Sequence, residues 1–107
     1  MYVVLSDKDK ERFYNINKIY LKFLGEDVML AEHIKNANEY HSSTAADILK
    51  QLTIRACSKL SGIDQLAAKK LAPLIEEATN KDIKEKSTFD LLLFGLEEFY
   101  RKHLLLF

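Results

Sequence analysis

STFDLLLFGLEEFYRKHLLLF, residues 87–107, decides how this chain is read. Phe89, Leu92, Leu93, Leu96, Phe99, Tyr100 and His103 recur at three- and four-residue intervals, the period of one face of an α-helix. Ser87, followed three residues later by Asp90, is a Ser-x-x-Asp variant of the capping box, so the spacing predicts a helix that opens there and runs close to the C-terminus. A helix on a two-layer core needs only one apolar face. Here Leu91, Phe94 and Leu105 make up a second one, interrupted by Glu98 and Lys102, and residues 104–107 are all apolar. Gly95 costs about 1 kcal/mol relative to Ala inside a helix, a cost borne more easily where another group packs closely against it. Either the other helices surround this one, with the LLLF end folded back on the core, or the second face is a binding surface. The surplus of apolar residues favours the binding surface.

Working back toward the N-terminus, the chain is punctuated by caps. Ser6 with Asp9 repeats the Ser-x-x-Asp pattern. Phe13, Ile16, Tyr20 and Phe23/Leu24 follow at helical spacing, and Gly25 stands where a helix C-terminus wants a left-handed residue, which predicts a first helix over 7–24. Glu26 and Asp27 place negative charge at the next N-terminus. Leu30, Ala31, Ile34, Ala37 and His41 then mark a second helix ending near Tyr40. Ser43 or Thr44 is expected to cap a third, with Ala45, Ile48, Leu49, Leu52, Ala56 and Leu60 inward and Gly62 as its stop. Asp64 is expected to cap a fourth, carrying Leu66, Leu71, Leu74, Ile75 and Ala78. Pro73 either kinks that helix or divides it in two. Residues 79–87 form a charged connection, and 1–5 an extension with β-prone residues and no evident partner strand. Two turns, at Gly25 and Gly62, pair a glycine with an acidic residue, but their flanks do not match and no repeat is inferred. The fold expected is all-α: one domain over 1–107, a small bundle of about five helices, with helical hairpins closed by the C-terminal helix.

Composition narrows the function classes. The 107 residues carry 16 Lys plus Arg and 16 Asp plus Glu, a net charge of zero, which argues against a surface that is wholly a nucleic-acid or anionic-membrane magnet. The 48% hydrophobic and 30% charged content excludes disorder as the default. A single cysteine, Cys57, cannot form an intramolecular disulfide, and the first residues lack the basic start and long apolar core of a signal peptide, so the expected location is cytoplasmic.

Little in the sequence carries chemistry. It has no Gly-rich phosphate loop, no G-x-S-x-G and no H-E-x-x-H. His33 and His41 lie about 12 Å apart along a helix, too far to share a metal ion. Cys57 reads as a small buried hydrophobe, and the pairs Glu76/Glu77 and Glu97/Glu98 as solvated surface. No catalytic residue, cofactor or metal site is expected.

The leading expectation is therefore a non-enzymatic interaction module, an adaptor or assembly subunit that binds a protein partner or itself through Leu91, Phe94, Leu105, Leu106 and Phe107. The alternative is a subunit that contacts RNA or DNA backbone within a nucleoprotein complex. It rests on Lys50, Arg55, Lys59, Lys69 and Lys70, which face only Asp64 over that stretch. A third option is docking of residues 104–107 on a membrane surface.

Overall fold

Five α-helices build the computed structural model, which describes residues 3–37 and 39–104. Helix α1 (Asp7–Phe23) starts as expected: Ser6 Oγ accepts the Asp9 N–H at 3.2 Å, and Asp7 and Asp9 sit at the positive end of the helix dipole. It ends one residue before the expected limit. Gly25 adopts φ +76°, the Glu26 N–H donates to the Leu21 carbonyl at 2.9 Å, and the Gly25 N–H donates to that of Lys22 at 3.1 Å. These two bonds form a Schellman motif, and the left-handed residue it needs is the glycine.

The second helix departs from the sequence reading. Asp27 Oδ1 accepts the Met29 N–H at 2.9 Å and starts a 3₁₀ turn (Val28–Ala31), and only then does α2 (Glu32–Asn36) follow. It stops at Asn36 rather than near Tyr40, because the backbone beyond has a different partner. The Leu5 N–H donates to the Tyr40 carbonyl at 2.8 Å, the Ser42 N–H donates to the Val3 carbonyl at 2.7 Å, and Val4 and His41 form an isolated antiparallel bridge. The β-prone start of the chain thus binds the segment expected to be helical and buries Leu5. Leu30, placed on the inward stripe, is 52% exposed, because the 3₁₀ turn rotates it outward, whereas Ala31 and Ile34 are buried.

Helix α3 (Ser42–Ile63) begins earlier than expected. The bond from Ser42 to Val3 takes the place of the side-chain cap assigned to Ser43 or Thr44. Gly62 does not stop it. The break falls at Asp64 (φ −152°, ψ 88°), whose N–H donates to the Leu60 carbonyl at 2.7 Å while its carboxylate accepts the Ala67 N–H at 3.2 Å. One residue therefore closes α3 and caps α4 (Gln65–Thr79), giving a hairpin without a loop. Pro73 lies inside α4, which continues past it as a single helix. Leu66, expected inward, is 73% exposed. With the helix starting at Gln65, Ala67, Ala68, Leu71 and Ala78 are the buried residues of α4, and α4 packs along α3.

Residues 80–85 lead to α5 (Lys86–Phe99). Its expected cap is not used: Ser87 Oγ donates to Glu85 Oε2 at 3.1 Å, and Asp90 pairs with Lys86 Nζ at 2.7 Å. Lys86 also reaches Asp9 at 3.1 Å, tying α5 to the start of α1. Burial of Lys86 opposes its charge, but the bonds to Asp90 and Asp9 outweigh it and raise its pKa. Most of the predicted stripe is buried: Phe89, Leu92, Leu93, Leu96 and Phe99 meet Phe13, Tyr20, Leu49, Leu60 and Leu71, whereas Tyr100 and His103, placed on the same stripe, are half-buried in the turn that follows α5. The Phe13 ring packs edge-on to Phe89 at 6.0 Å between centroids. Helix α5 touches α1, α3 and α4, and α3 touches α1, α4 and α5. A Cβ placed on Gly95 would lie 2.7 Å from both methyl carbons of Leu74, so this glycine is where α4 and α5 come together. After Phe99 the chain widens into a π-helical turn (Tyr100–Leu104) instead of continuing as the α-helix expected. Among the described residues no helix is long and apolar enough to cross a membrane.

Candidate protein-docking face

Tyr100 and Leu104, at the two ends of the π turn, line a groove of about 490 Å³ together with Ile19, Lys22 and Phe23 of α1 and Lys59 and Ile63 of α3. A second groove adjoins it, sharing Ile19 and Tyr100 and extending to Arg12, Ile16, Phe94, Glu97 and Arg101. Together they form one channel along α1, its apolar residues edged by Arg12, Asn15, Lys22, Lys59, Glu97 and Arg101, with Phe94 at one end and Ile63 at the other. Phe94 is 58% exposed and Ile63 57% exposed. Fully burying a phenylalanine is worth about 1.5–3 kcal/mol, so the isolated chain leaves about half of that unrealised at Phe94 alone.

The channel is held open by contacts along its edges. Arg12 of α1 makes a two-pronged bond with Glu97 of α5, Nε to Oε2 at 3.1 Å and a terminal nitrogen to Oε1 at 2.5 Å. The Glu97 bond outweighs burial and raises the Arg12 pKa. Both side chains are partly exposed, so the pair contributes at most about 1 kcal/mol and acts mainly by fixing the distance between the two helices. Below it, Tyr20 is fully buried and its hydroxyl donates to the Leu96 carbonyl at 2.8 Å. Burial pushes that hydroxyl far above its ordinary pKa. At the far end, Lys59 donates to the Phe23 carbonyl and lies 4.8 Å from the centre of the Phe23 ring.

Of the partner-binding residues expected from sequence, Phe94 lies on this face. Leu91 is half-buried and packs against the core. Leu105, Leu106 and Phe107 lie outside the described residues. Sequence reasoning missed Ile19, Ile63 and Lys22. For Ile19 the available signal was of the same kind that pointed to Phe94, an apolar residue off the stripe of its own helix, whereas Ile63 continues the α3 stripe and is exposed only because it is the helix's last residue.

The basic residues of the alternative reading differ in their surroundings. Arg55 pairs with Glu26, and Lys59 is committed to Phe23. Lys50 is half-buried, and Lys69 and Lys70 are exposed on α4. Cys57 is half-buried, with its thiol 3.5 Å from the Ala68 carbonyl. Among the described residues no three His, Cys, Asp or Glu side chains are grouped so as to hold a metal ion. No family model, curated protein or solved structure matches the chain.

Proposed function

We propose that this chain is a non-enzymatic interaction module, an adaptor or assembly subunit that binds through the face formed by α5, the π turn and α1. The observation that carries the proposal is the exposure of Phe94 beside an apolar channel walled by Ile19, Tyr100 and Leu104. A side chain of that size left in water is a source of binding free energy. The half-buried free thiol of Cys57 suits a reducing compartment, and we place the module in the cytoplasm. The test compares wild type with Phe94→Glu by light scattering after size exclusion and by affinity capture. Because Phe94 is mostly exposed, the variant should fold with the same helix content while losing self-association or a captured protein. Identical mass and identical captured proteins for the two chains would refute the proposal.

A further inference from the structure

The channel has a counterpart elsewhere on the same chain. The 3₁₀ turn after α1 projects Met29, 64% exposed, and Leu30 beside it, with Val28 also exposed. Asp27 and Glu32 flank this apolar knob; Asp27 accepts the Met29 N–H and Glu32 the Tyr14 hydroxyl, but among the described residues neither carboxylate has a cation within 4 Å to neutralise it. The channel has the opposite sign. Arg12 and Glu97 neutralise each other across it, and Arg101 is paired with Glu98, which leaves Lys22 and Lys59 on its rim without a carboxylate within 4 Å among the described residues. A chain of zero net charge thus separates an acid-flanked apolar knob from a base-rimmed apolar channel.

We infer that the knob of one copy seats in the channel of another, so that the occupant of the docking face is a second copy of this chain. The inference rests on the interaction-module reading and adds to it the partner and the second surface. Met29 is suited to the role, because its unbranched thioether adapts to an irregular apolar wall. Asp27 and Glu32 would then approach Lys22 and Lys59, fixing the register and turning away a basic partner. The two surfaces are different patches, so the contact is heterologous, and copies joined this way either close into a ring or grow as an open assembly.

Mixing two variants, each with one surface disabled, tests the inference. Met29→Glu/Leu30→Glu removes the knob and Ile63→Glu/Phe94→Glu disables the channel, all at exposed positions. Sedimentation velocity should show concentration-dependent association of the wild type and at least a tenfold loss in either variant alone. An equimolar mixture should give a heterodimer that goes no further, because only one complementary pair remains. For charge, Lys22→Glu and Glu32→Lys should each weaken association, and the two together should restore it; Asp27 is left in place because it caps the turn. The inference is overturned by a wild type that stays monomeric at every concentration, by a mixture no larger than its components, or by knob variants that associate like wild type. If the wild type is monomeric but Phe94→Glu still loses a captured protein, the interaction-module reading stands and only the self-pairing falls. Flotation of the monomer on vesicles containing anionic lipid, abolished by Lys22→Glu, would likewise overturn the inference in favour of a membrane surface.

Discussion

Gly95→Ala should behave in opposite ways depending on Leu74. Inside an exposed helix, replacing glycine by alanine stabilises by about 1 kcal/mol, because alanine loses less backbone entropy. At position 95 the new methyl would sit 2.7 Å from both methyl carbons of Leu74 and 3.2 Å from its Cγ, well inside contact distance. Overpacking of this kind costs about 1–3 kcal/mol. Leu74 is only half-buried, so the end of its side chain has room to swing, which favours the lower part of that range. The net effect in the wild-type background is a change between zero and about 2 kcal/mol of destabilisation. In a Leu74→Ala background the clash is gone, and the same substitution should stabilise by about 1 kcal/mol. Urea unfolding of the four chains in this cycle measures the coupling directly, with unchanged m-values as the check that the transition stays two-state. A Gly95→Ala change that stabilises both backgrounds equally would refute the close approach of α4 and α5. The glycine is thus accounted for inside the chain, and the case for a partner rests on Phe94 rather than on Gly95.

Two further predictions concern Tyr20, beneath the channel, and Pro73 of α4. Tyr20→Phe should cost about 0.5–1.5 kcal/mol near neutral pH by removing the hydroxyl that donates to the Leu96 carbonyl. Burial raises the Tyr20 pKa in the folded state above its unfolded value of about 10, so below that pH both states hold the proton. Above it only the unfolded state ionises, and wild-type stability should fall by about 1.4 kcal/mol for each further pH unit relative to Tyr20→Phe. Parallel pH profiles for the two chains in chemical denaturation would contradict the burial of that hydroxyl. Pro73→Ala should raise the melting temperature, since proline inside α4 forgoes one backbone hydrogen bond and costs up to about 3 kcal/mol, less about 0.4–1 kcal/mol for the stiffening of the unfolded chain. An unchanged or lower melting temperature would mean that the proline is accommodated without cost.

Legibility in the sequence followed how local the determining interaction was. Helix α1 could be read from Ser6 and Gly25 because both act on backbone groups within a few residues of themselves. The stripe of α5 could be read because five large apolar side chains at helical spacing have one way to be buried together. The early end of α2 could not, since it depends on Leu5 and Val3 claiming backbone groups of Tyr40 and Ser42, a pairing across most of the first forty residues. Ser87 and Asp90 look like a cap in sequence, yet Glu85 and Lys86 engage them first. The same holds for the site. Phe94 stood out as surplus to its own helix, whereas the channel beside it arises from three segments, and the π turn that opens Tyr100 and Leu104 toward Ile19 has no signature in the residues that form it.

Replacing Phe94 with a photo-activated benzophenone amino acid tests the docking claim most directly. Irradiated in cell extract or at high chain concentration, it should form one discrete covalent adduct, with a second copy or another protein, that excess unlabelled wild type competes away. The same probe at exposed Glu77 of α4 should give none. Adducts no different between the two positions, or insensitive to competitor, would contradict the claim that the Phe94 face is a binding surface.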